Sequence, residues 1–222
     1  MGFFFANLLG MCIVLGGLQF YRDVLPIFTS TESFMQPQHL VVAKKVTSLR
    51  TLSGNAPSFS KRELRDFEEQ PFVRSIGRFT PAQFDVSASL GSKEMGMYFS
   101  TEMFFEAIPD NYIDADLSEW HFEPGESTAI PIILPRNYLN LYNFGFAGSR
   151  GLPAISEGVV GMVDIRFRLR GTHNTWNLTG RVVDFSNRLN TILVPQSFMD
   201  YANESLSPEA TPEYSRVIVE LS

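Results

Sequence analysis

"MGFFFANLLGMCIVLGGLQFYRD" (residues 1–23) decides how the rest of this sequence is read. From Gly2 to Phe20 no residue is charged, and no Lys or Arg stands in front of the run. As a helix rising ~1.5 Å per residue, the run reaches roughly 28 Å, close to the ~30 Å hydrocarbon core of a bilayer. Tyr21 and Arg22 follow at once, an aromatic ring and a charge where a headgroup region would lie. A secretory signal needs a basic leader, a shorter apolar core and a small-residue cleavage site, and Phe20-Tyr21 offers no such site. Met11 stands where a lipoprotein signal would place a small residue before its cysteine, Cys12. A buried core helix would be unusual in having no polar face over about five turns. The residues favour a transmembrane helix from Gly2 to about Phe28, with Pro26 as the place of bending or ending. A signal sequence and a core helix are the alternatives.

Inside that run Ala6 and Gly10 form a small-xxx-small pair, Gly16-Gly17 follow, and Asn7 puts an amide at membrane depth. Small residues let a second helix approach closely, and an amide is more comfortable against a helix than against lipid. Glycine is also simply commoner in membrane helices, and the two readings stand level. The helix is expected to belong to a bundle, and the chain to be the front piece of a longer membrane protein.

The remaining chain has the length and composition of a folded domain. Of 222 residues, 44% are hydrophobic and 19% charged, which argues against a disordered tail. A net charge of −6 lacks the basic patch that a nucleic-acid surface needs, so no nucleic-acid partner is expected. Cys12 is the single cysteine, which rules out a disulfide framework and a cysteine metal site.

Periodicity gives the elements. "HLVVAKKV" (39–46) reads as a strand and "RTLSGNAPSF" (50–59) as a loop. "SKRELRDFEEQP" reads as a helix opened by a Ser60/Glu63 capping box and closed by Pro71. "FVRSIGRF" and "QFDVSASL" are strands separated by Thr80-Pro81. From Glu94 to Pro135 there are nine acidic residues and no Lys or Arg, with strands at "MYFSTEMFFEAIP" and "IPIILP". "RNYLNLYNFGFAG" is a short helix expected to end at Gly145. "VDIRFRLR" alternates strictly, with Val163, Ile165, Phe167 and Leu169 on one face and Asp164, Arg166, Arg168 and Arg170 on the other. "GTHN" turns the chain into "TWNLTGRVVDF", a hairpin. "TILVP" is a strand, "QSFMDYAN" a helix begun by Pro195, "ESLSPEATPEY" a polar linker and "SRVIVELS" a closing strand.

The fold class expected is α+β. One transmembrane helix (residues 1–30) precedes a split βαβ-type subdomain (31–93 and 186–222) with two helices on a face. An inserted, mostly β, subdomain occupies 94–185. The first and last segments must meet in one sheet.

Chemistry is sparse. His39, His121 and His173 stand far apart, without metal-ligand spacing. "DADLSE" (114–119) suggests a calcium loop but carries Glu119 at position six and Gly125 at position twelve, where glycine and glutamate belong. No nucleophile elbow or phosphate-binding loop occurs, and nothing in their spacing selects two carboxylates as a glycosidase pair. "NLT" (Asn177) and "NES" (Asn203) fit the glycosylation pattern, which is frequent by chance. No catalytic, cofactor-binding or metal residue is singled out, and no cofactor is expected. Phenylalanine numbers 20, and "NFGFAG" sets Phe144 and Phe146 around a glycine. These rings are either core anchors or an exposed contact for a partner or apolar substrate.

The order of elements, with "FANLLGMCIVLGGLQFYRDVLPIF", "FFEAIPDNYID", "IPIILPRNYLNLYNFGFAGSRGLP" and "FSNRLNTILVPQSFMDYAN", resembles the MacB/FtsX-like ABC transporter permeases. More narrowly it is similar to their periplasmic core domain, in a version found in Gram-negative bacteria of the Bacteroides type. The resemblance covers nearly the whole chain, and its motifs are structural rather than catalytic. It implies an inner-membrane first span, a periplasmic globular part and further helices downstream. It also implies a porter-like subdomain joined to a smaller β-rich one. The partners implied are a cytoplasmic ABC ATPase, a second permease copy, membrane lipid and a periplasmic or outer-membrane protein. The role implied is transmission of ATP-driven motion for export or mechanotransmission, with hydrolysis left to the ATPase. A membrane-anchored periplasmic adaptor without transport is the runner-up, and an enzyme the third reading.

Overall fold

The computed structural model describes residues 2–29, 39–44, 58–92, 97–210 and 213–222. Met1–Gln36 and Pro37–Ser222 form separate compact units. In the first, α1 runs without interruption over Gly2–Thr29. It continues past Pro26, where a helix was expected to bend or stop. Every described side chain of α1, from Phe3 to Arg22, is exposed. The stretch Phe3–Arg22 is long and apolar enough to cross a membrane.

The second unit holds two sheets. The smaller has the strand order β1-β11-β2, built from β1 (His39–Ala43), β2 (Val73–Arg78) and β11 (Arg216–Leu221). Both pairings are antiparallel, with Val41 opposite Ile218 and Ile218 opposite Gly77. The first and last segments therefore meet as expected, and β11 is the central strand. Its side chains alternate across the sheet. Val217 and Val219 pack with Leu64 of α2 (Lys61–Glu68), while Ile218 faces a second cluster with Phe79, Tyr112, Trp120 and Leu193. Helix α2 opens on the capping box read from sequence. The Ser60 side chain accepts from the Glu63 N–H, and the Glu63 carboxylate accepts from the Ser60 N–H at 2.8 Å. Lys44 and Ser60 together hold the Glu63 carboxyl down at about 2.

The larger sheet has eight strands. They are β3 (Thr80–Pro81), β4 (Asp85–Ser92), β5 (Met97–Met103), β6 (Phe105–Ala107), β7 (Ile130–Pro135), β8 (Asp164–Arg170), β9 (Thr175–Ser186) and β10 (Ile192–Leu193). Their spatial order is β3-β6-β10-β7-β9-β8-β4-β5. Only Phe104 separates β5, at one end of that order, from β6, next to the other end. A chain this short between them requires the sheet to curl back on itself. The Ala82 N–H donates to the Phe105 carbonyl, extending the β3–β6 pairing by one residue. The concave side is filled by Phe84, Val86, Phe105, Ile132, Phe167, Leu169 and Val182, among others. The rings of Phe105 and Phe167 meet edge to face at 5.1 Å.

Helix α5 (Gln196–Leu206) begins after Pro195, as expected, but it does not cover the small sheet. Phe198, Met199, Ala202 and Leu206, at helical spacing, belong to the large core instead. Polar contacts seat it there. Asn203 accepts from the Gln83 N–H at 2.7 Å and donates to the Pro81 carbonyl, and Ser207 donates to the Gln83 carbonyl at 2.7 Å. The linker expected over 204–214 is helical as far as Leu206. The α+β class with an apolar N-terminal helix is borne out; the loop over residues 51–57 and the end of the first strand at 45–46 lie outside the described residues.

Candidate functional site

Two surface features stand out from this scaffold, one between β7 and the β8–β9 hairpin and one on the hairpin itself. The first is α3, a continuous helix over 136–150. It opens as an α-helix at Arg136–Asn140, widens into a π-helix over Leu141–Ala147 and closes at Gly148–Arg150. The sequence placed its end at Gly145. The helix instead ends at Gly151, whose φ of 64° is the left-handed conformation glycine adopts freely. π-segments are rare, occur mostly as bulges within α-helices and are frequent at functional sites. Here side chains fix the segment in place. Asn143 donates to the Ile155 carbonyl and accepts from the Ile155 N–H, both at 2.8 Å, so one amide stands in for a strand partner. Tyr142 donates to the Pro153 carbonyl at 3.3 Å, and Arg136 pairs with Glu157 of α4 (Glu157–Gly161) at 3.2 Å. Of the two rings singled out in sequence, Phe146 is half-buried beside Tyr142, while Phe144 is 88% exposed. One ring is thus partly sheltered and the other turned outward.

The second feature is the outer face of β8. Burial alternates along it as read from sequence, with Ile165, Phe167 and Leu169 inward and Arg166, Arg168 and Arg170 outward; Val163, placed with the inward face in the sequence reading, precedes the strand and is exposed. Asp85, on the neighbouring β4, pairs with Arg170 at 2.8 Å, and this bond raises the arginine's pKa. Glu102, from the acidic stretch, adds to the same shift. Arg181 pairs with Asp164 at 3.4 Å. Beside this row an open cleft of about 380 Å³ lies at the sheet seam, bordered by Phe84, Glu102, Phe104, Arg170 and Thr172. Ion pairs this exposed contribute little to stability. Replacing Arg166, Arg168 and Arg170 together by Gln is expected to leave the fold intact, with a thermal midpoint within a few degrees of the parent. Cooperative unfolding followed by circular dichroism checks this, and loss of the native fold would mean the strand's faces are reversed.

The remaining sequence candidates are dispersed. His39 lies on β1, edge to face with Tyr112 at 6.2 Å. His121 contacts Glu123 at 3.1 Å, and His173 is exposed in the β8–β9 turn. Two carboxylates of "DADLSE", those of Asp114 and Asp116, are engaged by protein donors. Asp114 accepts from the Ser186 hydroxyl and from the N–H groups of Asn187 and Arg188, and Asp116 accepts from the Ser118 N–H and hydroxyl. Asp184 accepts from the Asp116 N–H at 2.6 Å. These bonds staple the loop to the end of β9. Asn177 is exposed on β9, whereas Asn203 is buried by the clamp on α5.

The sequence reading missed the contact joining the two sheets. Arg216 of β11 donates to Glu106 of β6 at 2.7 Å, and its guanidinium lies 4.4 Å from the centre of the Phe79 ring. The alternation of "SRVIVELS" hinted that Arg216 leaves the face of Val217, but nothing in the sequence named its partner.

A family model described as a probable transporter periplasmic core domain matches residues 40–222. The chain belongs to that family. Residues 1–30 match a second model, a probable transporter N-terminal domain, so the two matches reach both units of the chain. No curated protein is significantly similar to it in sequence. Among solved structures it is similar to the extracellular domain of the noncanonic ABC-type transporter YknZ from Gram-positive bacteria. The identity is 13%, 82% of each chain is covered and the TM-score is 0.35. It is also similar to the periplasmic region of MacB from Actinobacillus actinomycetemcomitans. There the identity is 11%, the coverage 83% of this chain and 75% of the other, and the TM-score 0.38.

Proposed function

We propose that this chain is the membrane-anchored periplasmic part of an ABC-type transporter permease, held in the inner membrane by α1. It passes ATP-driven motion from a cytoplasmic ATPase to the periplasm, for export or for control of a partner, and works as a pair of permease copies. The observation that carries the reading is α1: a helix uncharged from Gly2 to Phe20 with every described side chain exposed, in a transporter core-domain chain. Such a surface is stable only in lipid or against other apolar helices. The tight joint between the sheets supports a mechanical role. Ile218 and the Arg216–Glu106 pair tie β11 to the large sheet, so that a displacement of the small sheet is passed on. The resemblance of the sequence to MacB/FtsX-like permeases is what implies the ATPase and the pairing.

The test is to tag the chain in its native membrane, extract it in mild detergent and identify what copurifies. A nucleotide-binding subunit with ATPase activity is the expected companion. If the chain comes out without one, the anchored-adaptor reading replaces this one.

The span makes its own prediction. Leu15→Arg places a cation near the middle of α1, at a cost of about 2.5–3.5 kcal/mol. Membrane integration of this variant is expected to fall well below that of the parent in a glycosylation-mapping or carbonate-extraction assay. Unchanged integration would remove the spanning role.

A further inference from the structure

Tyr112 belongs to the loop between β6 and β7, strands of the large sheet, yet its ring rests on the small one. It closes the 3-10 turn Asp110–Tyr112 and is 3% exposed. A β-carbon on Gly77 of β2 would lie 2.6 Å from two carbons of this ring and 2.8 Å from an Ile218 methyl. The ring therefore fills space that any other residue at 77 would need. The Tyr112 hydroxyl donates to Ser75 at 2.7 Å, and the Ser75 hydroxyl donates to Glu220 at 2.7 Å. The strand register sets Ser75 opposite Glu220 and Glu220 opposite His39, so these three form one row across the sheet. The rings of His39 and Tyr112 meet edge to face, their centres 6.2 Å apart. Nδ1 of His39 is buried and has no hydrogen-bond partner, a state that few buried polar atoms occupy.

We propose that His39, Tyr112, Ser75 and Glu220 form a proton-sensitive latch: neutral His39 lets the β6–β7 loop stay on the small sheet, and a proton on His39 releases it. Protonation of Nδ1 would create a buried N–H without an acceptor, together with a positive charge, and both are costly. Among the described residues, the titratable and charged groups that face the ring are Tyr112, Asp114, Arg188 and Glu220. Arg188, which follows β9, repels the cation, whereas Glu220 of β11 and Asp114 of the β6–β7 loop attract it. Both carboxylates are engaged elsewhere. Glu220 accepts from Ser75 and from Arg74 at 3.2 Å; Asp114 accepts from Ser186 and from the N–H groups of Asn187 and Arg188. Burial first, and then Arg188, hold the imidazole below its ordinary 6.5. A base whose pKa is lower in the closed latch than in the open one binds fewer protons when closed. The closed form is thus fully favoured above about pH 6.5 and weakens as the pH falls through that value. Ile218 and the Arg216–Glu106 pair remain in place, so acid undoes this tie between the sheets without unfolding the core.

The test is hydrogen exchange on the full chain in detergent at about pH 7.5 and about pH 5, corrected for the intrinsic pH dependence of amide exchange. Protection over Leu40–Ala43 and at Tyr112 is expected to fall several-fold in acid, while the amides of α5 keep theirs. Glutamine does not titrate, so His39→Gln should lose most of that fall. Equal acid loosening in His39→Gln and the parent would overturn the proposal, as would a parent whose protection is the same at both pH values. Proton resonance of the imidazoles gives a second readout that needs no variant at position 39. The chain has three histidines, and His121 and His173 are both exposed. Their signals are assigned with His121→Gln and His173→Gln, which leaves the third to His39. It is expected to titrate below 6.5, and a midpoint at or above that value would overturn the latch.

Discussion

Deleting Ser215–Ser222 is expected to abolish cooperative folding of the core domain and drive it to aggregate. The strand removed, β11, lies between β1 and β2, so its loss leaves both without a hydrogen-bonded neighbour among the described strands. Val217 and Ile218 are 0% exposed and Val219 is 2% exposed, and each belongs to a core cluster. Burying a valine or isoleucine is worth roughly 1.5–3 kcal/mol, so three of them match a large part of the ~5–15 kcal/mol that holds a domain together. The deletion also strands Glu106, only 9% exposed, without Arg216. A carboxylate left buried without its partner is a further penalty. Two unsheltered strand edges then invite pairing between chains. Gel filtration and thermal unfolding of the full and shortened chains, both in detergent, decide the matter. A shortened chain that stays monodisperse and unfolds at the parent midpoint would mean that β11 is dispensable to the sheet.

The second large effect is expected at Gly171. It opens the β8–β9 turn, where its N–H donates to the Asn174 carbonyl. The same turn caps α5: the Thr172 N–H donates to the Leu206 carbonyl at 2.9 Å, and the Thr172 hydroxyl adds a bond at 3.2 Å. A β-carbon on residue 171 would sit 2.0 Å from the Leu206 carbonyl oxygen and 2.6 Å from its carbon. Backbone on both sides leaves no flexible side-chain end to move aside. Gly171→Ala must therefore push the turn away from α5, giving up the cap as well as packing. The cost is expected to reach about 3 kcal/mol, toward the upper end for overpacked sites. For a chain of this size that lowers the midpoint by about 6–12 °C. Gly158, in α4, has nothing within 4 Å of the same position, and Gly158→Ala serves as the control. It should be neutral or slightly stabilising, because alanine favours a helix. Equal midpoints for the two variants would show that the turn does not press on α5.

What could be read in the sequence was local. The capping box at Ser60 and Glu63, the alternation along β8 and the uncharged run of α1 each declare themselves within a few residues, because helix and strand periods are short-range properties. Even the meeting of the first and last strands followed, from the demand that isolated strands find partners. The seat of α5 did not, because its apolar face specifies that something covers it but not which of two sheets does so. The extent of α3 escaped for a related reason. Gly145 reads as a stop, and only the Asn143–Ile155 bonds, formed across a loop, show why the helix passes through it. The outward turn of Phe144 was legible as composition but not as geometry. Periodicity marks apolar residues without distinguishing a face turned to the core from one turned away.

The position of β11 also bears on the order in which the molecule can be made. Arg74 and Glu220, which pair across β2 and β11, are 146 residues apart. Contacts of such separation slow folding, because a long loop must close before any contact forms. Synthesis runs from the amino end, so β1 and β2 must wait, unjoined, while the entire large sheet and α5 are produced. During that interval their edges are the vulnerable part of the nascent chain. The large sheet has no such delay, since its strands lie between them and can assemble first. A secretion-coupled folding experiment should therefore show protease-resistant large-sheet fragments before the small sheet acquires any protection.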